Sequence, residues 1–139
     1  MNSYKFTDLY KGMECSFSDT ITESMLESFV SLSGDHNPLH VDAVYARKKG
    51  FKDRVVHGFL SSALFSRLVG VYLPGHYCVL HSAKIKYKAP VYINDKLLIS
   101  GQVVYLNEAY KQIEVKASIN NHDGYVVSTA TLNVGVSDE

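Results

Sequence analysis

Hydrophobic positions in the first quarter of the chain are spaced as in one strand followed by one helix. Residues 12–18 (GMECSFS) predict a short strand. Thr20 and Glu23 have the spacing of a capping box, in which a hydroxyl residue precedes a Glu by three positions. Apolar side chains then recur at helical intervals to about Leu32. Because glycine is common just past a helix end, we expect Gly34 to terminate this helix.

The next segment combines a proline with the signal for a second helix. Pro38 lacks an amide hydrogen and favours an extended conformation for Asn37, so we expect residues 35–40 to be non-helical. Asp42 is a common N-cap residue type, and it precedes the sequence AVYARKK, which Gly50 follows. These residues predict a second, short helix after an irregular turn.

The most apolar part of the chain is residues 58–73. Large apolar side chains, Phe59 among them, point to every side at helical spacing, and Arg67 is the only charged residue. Pro74 and Gly75 end the segment. Since a helix that is apolar all round is normally buried all round, we expect one long helix enclosed by the rest of the fold.

The second half of the chain is rich in Val, Ile, Tyr and Thr, which are typical of strands. In one of its four strand-like segments the apolar residues alternate with polar ones and share a face: Ile113, Val115, Ala117 and Ile119. The connections are short, so neighbouring strands should be antiparallel. A meander of such strands could bury the apolar helix. The pattern therefore predicts an α+β protein in which a long, curved antiparallel sheet wraps one long buried helix.

Composition narrows the class of protein. The 139 residues fit one domain, 1–139, and the formal net charge of zero gives no overall attraction to nucleic acid or to an anionic membrane. No stretch approaches the roughly 18 apolar residues of a membrane span, and the first residues lack the apolar core of a signal peptide. Cys15 and Cys78 are far apart with no CxxC motif, which favours free thiols in a reducing compartment. We expect a cytoplasmic protein.

One octapeptide carries candidate chemistry. Residues 33–40 read Ser-Gly-Asp-His-Asn-Pro-Leu-His, and a chain bent at Asn37-Pro38 can aim Asp35 and His40 at one water molecule. A carboxylate and an imidazole that share a water can exchange protons with it on one face of a substrate. Asp35 taken alone is more simply explained as a turn residue. His36 and His40 are four apart, as in a helical metal pair, but the intervening proline and the lack of a third ligand argue against a metal.

This octapeptide resembles the signature of the MaoC-like, R-specific enoyl-CoA hydratases, the hydratase 2 family. The resemblance continues through Asp42, Tyr45 and Ala46 and through Val56-His57-Gly58-Phe59, and it departs from the family pattern after Gly75. It implies a single hot-dog domain. It also implies an enzyme of fatty acid metabolism that adds water to trans-2-enoyl thioesters, or removes water from (R)-3-hydroxyacyl thioesters.

The resemblance also implies roles for individual residues. Asp35 and His40 would be the acid/base pair, and the amide of Gly58 would stabilise the thioester oxyanion, because glycine has no Cβ to block the approach. Asn37 would brace the turn. His57 is open between a structural role at the start of the apolar helix and a role as general acid. The resemblance implies no metal, and no cofactor beyond the CoA or phosphopantetheine of the substrate.

A serine and several lysines complete the set of candidates. Ser66 takes the place of a site serine in some relatives, although Ser61 and Ser62 lie on the same helix. The lysines could meet the phosphates of CoA or an acyl carrier protein, or could form a solvated strand face: Lys84, Lys86, Lys88 and Lys96.

Partners and rival functions follow from the same resemblance. An open sheet leaves an edge strand to be covered, and hot-dog relatives pair such edges, so we expect a homodimer. Two other functions remain open because fold does not dictate function. A hot-dog acyl-CoA thioesterase would direct water at C1 and release a thiol. A non-catalytic acyl-thioester binding module would bind without turnover.

Overall fold

Five strands form one antiparallel sheet with helices on its inner side. The computed structural model describes residues 1–138. Its elements are β1 (Glu14–Thr20), α1 (Glu23–Ser33), α2 (Pro38–Val41), α3 (Ala43–Lys48), α4 (Gly58–Arg67), β2 (Cys78–Tyr87), β3 (Lys96–Asn107), β4 (Gln112–Asn121) and β5 (Val126–Val136). The strand order is β1-β3-β4-β5-β2, with every neighbouring pair antiparallel. The predicted α+β class is confirmed.

The alternating pattern of the strands places one face of the sheet in the core. Ile113, Val115 and Ile119 of β4 are fully buried, and they belong to the same core as Leu64 and Phe65 of α4. The chain after α4 comes very close to β3. A Cβ on Gly101 would stand 2.7 Å from the side chain of Leu68. A Cβ here would force the fully buried Leu68 to shift, so glycine allows the helical segment to pack this close to the sheet.

The connection between β2 and β3 differs from the predicted meander. Because β2 pairs with β5 at one edge while β3 lies between β1 and β4, residues 88–95 must pass two strands instead of closing a hairpin. The amide of Val56 donates to the carbonyl of Val91 at 2.8 Å, and Val55 forms a bridge with Tyr92. The simple meander was therefore wrong, and the crossing segment lies beside the start of α4.

The apolar helix is shorter and less enclosed than predicted. Its α-helical part ends at Arg67, and Leu68–Tyr72 form a wider π-helical turn in which the amide of Leu73 donates to the carbonyl of Leu68 at 2.9 Å. Phe59 is 79% exposed, so the expectation that it is buried was wrong. The reason is that the sheet of a single chain covers only one side of α4.

The ends of the shorter helices were predicted in part. Asp42 accepts hydrogen bonds from the amides of Val44 and Tyr45, which confirms it as the cap of α3. Thr22, not Thr20, caps α1. The expectation of non-helical chain over residues 35–40 holds only to Asn37, because a proline at the first helical position needs no amide partner. Within residues 1–138, no helix is long and apolar enough to cross a membrane.

Candidate active site

Asp35 and His40 face each other across a narrow gap. Asp35 Oδ2 and His40 Nε2 are 3.9 Å apart, which is too long for a direct hydrogen bond. One water about 2.8 Å from both atoms would span this distance with an angle of roughly 90° at its oxygen. The side chains are 47% and 15% exposed respectively, so the gap is open to incoming water. The structure thus brings together the two residues that the octapeptide pointed to.

The backbone around Asp35 fixes its carboxylate. The amide of Asn37 donates to Asp35 Oδ1 at 3.1 Å, and the amide of Asp35 donates to Ser33 Oγ at 3.1 Å. Asn37 Oδ1 in turn accepts from the amide of Leu39 at 3.0 Å and caps α2. One carboxylate oxygen is therefore held by the turn, and the other remains available to the gap.

A main-chain carbonyl fixes the ring of His40. The Nδ1 atom lies 2.6 Å from the carbonyl oxygen of Val55, and since a carbonyl only accepts, Nδ1 carries the hydrogen. In the neutral ring the lone pair is then on Nε2, the atom that faces Asp35. Val55 precedes α4 by three residues, so the loop before this helix sets the tautomer of a residue on α2.

His57 is buried directly beside the pair. Its side chain is 2% exposed, and its Nε2 lies 2.9 Å from the carbonyl oxygen of Asp35. Its ring stacks on that of His40 with a centroid distance of 3.8 Å and an angle of 23° between the planes. The predicted supporting position of His57 at the start of α4 therefore includes contact with both members of the pair.

The first residue of α4 lies at the wall of the same cleft. Helices leave their first amides without intrahelical partners, and among residues 1–138 no backbone or side-chain acceptor takes the amide of Gly58. A Cβ on Gly58 would stand 2.8 Å from the ring of Tyr87, whose hydroxyl is 2.6 Å from Ser62 Oγ. A cleft of about 510 Å³ joins these groups with the crossing segment; its walls include Asp35, His40, His57, Gly58, Tyr87 and residues 88–91.

Most of the other predicted supporting residues lie outside the cleft. Ser66 is exposed on α4 and lies outside the cleft wall, because eight residues of helix carry it about 12 Å along the axis from Gly58. Within one chain, Ser61 lines the cleft instead. Among the lysines only Lys88 lines the cleft. Lys84 and Lys86 border a hollow on the sheet with Lys116, and Lys96 borders another surface hollow.

The site contains a third possible metal ligand that sequence spacing did not reveal. Asp35, His40 and His57 offer ligand atoms within 4.8 Å of one another. However, imidazole lone pairs lie in the ring plane, and the two stacked rings place theirs in nearly parallel planes that do not converge on one ion about 2 Å away. One nitrogen of each ring is also bonded to a carbonyl. The trio fits a hydrogen-bonded support better than a metal site.

Comparisons with known proteins identify the family of this chain. The MaoC like domain matches residues 9–125. The chain belongs to the MaoC-like domain family. An (R)-specific enoyl-CoA hydratase of Rhodospirillum rubrum is 41% identical over 90 residues, which cover 65% of this chain and 62% of that protein. A mitochondrial 3-hydroxyacyl-[acyl-carrier-protein] dehydratase of Arabidopsis thaliana is 38% identical over 105 residues, 73% of this chain and 62% of that protein.

The MaoC-like chain thus spans less than two thirds of the length of these two relatives. The R-hydratase PhaJ1 from Pseudomonas aeruginosa, solved in the unliganded form, has a TM-score of 0.89 and 28% identity; the match covers 97% of this chain and 86% of that one. The predicted hot-dog fold and the predicted family are confirmed.

Several groups at the site were missed from the sequence. The carbonyl of Val55 and the ring of Tyr87 contact residues 15 and 25 to 29 positions away along the chain. No local pattern indicates such pairings. Residues 88–91 of the crossing segment also form part of the cleft wall, and the strand order that brings them there is set by pairings between distant parts of the chain.

Proposed function

We propose that this MaoC-like protein reversibly hydrates trans-2-enoyl thioesters to (R)-3-hydroxyacyl thioesters. The observation that carries the proposal is the pair of free atoms, Asp35 Oδ2 and His40 Nε2, which face each other at 3.9 Å beside the first amides of α4. The hydratase and dehydratase names of the two sequence relatives support it. No cofactor is needed beyond the CoA or phosphopantetheine that the substrate itself carries.

The pair can perform both proton transfers of a hydration. As the oxygen of the held water bonds to C3, the pair takes one of its protons, and the electrons of the C2=C3 bond move towards the thioester oxygen. A proton then passes from the pair to C2, which restores the pair to its starting state. Because the same two side chains act in both steps, we expect both new bonds on one face of the substrate. Dehydration follows the same steps in reverse.

The start of α4 can stabilise the charge that develops. The amide of Gly58 and the helix dipole behind it favour a negative oxygen at this position. Loss of one comparable donor in other oxyanion sites costs roughly 3 kcal/mol in the transition state. Gly58 suits this place on steric grounds as well, because the ring of Tyr87 fills the space of a Cβ.

The experiment is an absorbance assay at the enoyl thioester band with crotonyl-CoA and longer enoyl-CoA esters. We expect Asp35→Asn and His40→Ala each to reduce turnover at least about 100-fold with the fold preserved. His36→Asn is a matched control in the same loop, because His36 is exposed and its ring bonds the carbonyl of Gly34, away from the pair. Wild-type rates in both variants would overturn the proposal. Thiol release from saturated acyl-CoA would instead indicate a thioesterase, and binding without turnover a non-catalytic module.

Lys88 is the lysine best placed to meet a substrate phosphate. It alone of the four candidates lines the cleft, and we propose that it contacts CoA or the phosphopantetheine of an acyl carrier protein. Lys88→Ala should raise KM for crotonyl-CoA and leave KM for crotonyl-pantetheine unchanged, whereas Lys84→Ala should change neither.

We also propose a cytoplasmic location, which is supported by two half-buried cysteines that are free thiols.

We also propose that the protein is a homodimer. In the part of the chain that the structure describes, strand β2 has a neighbour on one side only, and it exposes side chains on both faces, including Val79 at 46% and Leu80 at 42%. Phe59 on α4 is exposed as well. A second copy that pairs with β2 would cover the edge and these apolar groups.

Light scattering coupled to size exclusion tests this assembly. We expect a dimer for the wild type and a monomer for Leu80→Asp. Leu98→Asp is the matched control, since Leu98 lies on β3 with a similar exposure of 45%. A monomeric wild type at micromolar concentration would refute the proposal.

A further inference from the structure

His57 connects the two members of the proposed acid/base pair. Its Nε2 is 2.9 Å from the carbonyl of Asp35, and its ring lies 3.8 Å from that of His40. Phe29 of α1 packs against it with a centroid distance of 4.8 Å. The side chain is only 2% exposed, so these neighbours hold the ring in one place.

The hydrogen bonds assign the tautomer of His57. Since its Nε2 faces a carbonyl, that nitrogen carries the hydrogen. Its Nδ1 is buried and has no hydrogen-bond partner among residues 1–138. An unpartnered buried lone pair costs free energy that a phenylalanine would avoid. Core packing alone therefore gives no reason for a histidine at this position.

The same hydrogen bonds distinguish between two possible roles of His57, a general acid and a support for Asp35 and His40. A general acid must hold a hydrogen that can reach the substrate. The hydrogen on Nε2 of His57 is already donated to the carbonyl of Asp35, and Nδ1 is buried, so a hydrogen there would not reach a substrate in the cleft. Direct proton delivery therefore does not fit, whereas support of Asp35 and His40 does.

We infer that His57 is a positioning residue, whose Nε2–H fixes the main chain of Asp35 while its ring supports the imidazole of His40. Together the two contacts maintain the 3.9 Å separation between Asp35 Oδ2 and His40 Nε2. The inference rests on the proposed function, because it assigns His57 a part in that reaction. Displacing a reacting group by about 1 Å can cost about 100-fold in rate, so small losses of support should be measurable.

Three substitutions at His57 test its hydrogen bond to Asp35 and its ring contact with His40 separately. His57→Gln keeps a side-chain N–H donor and loses the ring, His57→Phe keeps the ring and loses the donor, and His57→Ala loses both. We expect kcat for crotonyl-CoA to fall at least about tenfold in His57→Ala with KM within about threefold, and to recover in part in the other two. His36→Gln is the matched control, since His36 also bonds a main-chain carbonyl in the same loop but lies outside the cleft.

A spectroscopic measurement keeps the inference independent of turnover. In the wild type the ring-nitrogen NMR signals of His40 should show a single tautomer with a slowly exchanging Nδ1–H, bonded to Val55. His57→Ala should broaden or average this signal, and His36→Gln should leave it unchanged. If the wild type turns over no enoyl thioester, the proposed function fails while this signal still tests the support of His40.

Several outcomes would overturn the inference. The first is a folded His57→Ala variant with wild-type kcat and an unchanged His40 signal. The second is a His57→Ala variant in which only KM changes, which would mean that His57 contacts the substrate. If His57→Ala does not fold by circular dichroism, the Gln and Phe variants decide. Wild-type kcat in both would then refute positioning, and a partial loss of kcat in either at constant KM would support it.

Discussion

Replacing Gly58 with alanine tests the packing at the start of α4. The new Cβ would stand 2.8 Å from Cζ of Tyr87, whereas ordinary contacts begin at 3.4 Å. The ring must therefore move by about 0.6 Å or more, or swing into solvent and lose the 2.6 Å hydrogen bond to Ser62. The φ of Gly58 is not positive, so the backbone itself accepts alanine. The effect should come from this single contact.

The magnitude follows from the two consequences. Overpacking costs roughly 1–3 kcal/mol, and a lost neutral hydrogen bond costs about 1 kcal/mol. We expect a loss of about 2 kcal/mol, because the half-exposed ring can move to relieve part of the overlap. For a domain of this length that corresponds to a fall in Tm of roughly 7 °C.

Thermal unfolding followed by circular dichroism measures the effect in a double-mutant cycle. With Tyr87→Ala already present, Gly58→Ala should be nearly neutral, because the clash has no partner. Gly70→Ala is the matched control, since a Cβ there meets no atom within 4 Å. An unchanged Tm in Gly58→Ala, or an equal loss when Tyr87 is absent, would refute the reasoning.

Two further pairs of substitutions and one buried thiol provide additional tests. Gly75→Ala should lower the free energy of unfolding, measured by chemical denaturation, by at least about 3 kcal/mol, because φ is 87° and the Cβ would overlap a carbonyl of the N-terminal segment. Gly12→Ala is its control: φ is 95° but the Cβ would meet open space, so the loss should be only about 1 kcal/mol. Arg54→Met should lower the free energy of unfolding by about 1 kcal/mol, and by less at high salt, because the 15% exposed side chain of Arg54 pairs with two glutamates of α1. Arg47→Met, which removes an exposed ion pair, should change the free energy of unfolding by under about 0.5 kcal/mol. Burial raises the pKa of Cys15 to about 11 from 9.0, so at pH 8 its thiol should react about 100-fold more slowly with a disulfide reagent than in the unfolded chain. Stability should fall as pH rises from about 9 to 11, because only the unfolded state loses this proton there; a flat profile would contradict the burial.

Local signals in the sequence predicted the parts of the fold that depend on neighbours along the chain. Asp42 caps α3 because its carboxylate reaches amides two and three residues away. The turn at Asn37 brings Asp35 towards His40 over only five residues. Alternation along β4 placed its apolar residues in the core. In the first two cases the determining contacts lie within one element or one turn, and in β4 the predictive signal is the alternation within the strand, although other elements supply the core contacts.

Features set by distant contacts could not be predicted in this way. The exposure of Phe59 depends on how much of α4 a single sheet covers, and the path of residues 88–95 depends on the strand order. The tautomer of His40 is set by the carbonyl of Val55, which nothing in the octapeptide reveals. His57 was a candidate by resemblance, but its contacts with both members of the pair join parts of the chain that are distant in sequence, and no local pattern indicates them.

The most direct test of the shared water is the rate of the double variant Asp35→Asn/His40→Ala in the enoyl-CoA absorbance assay. If the two side chains act on one water as a unit, the double variant should be about as slow as the slower single variant, since removing either member already disables the pair. If the losses in the two single variants instead multiply in the double variant, Asp35 and His40 act independently, and the proposed mechanism is wrong.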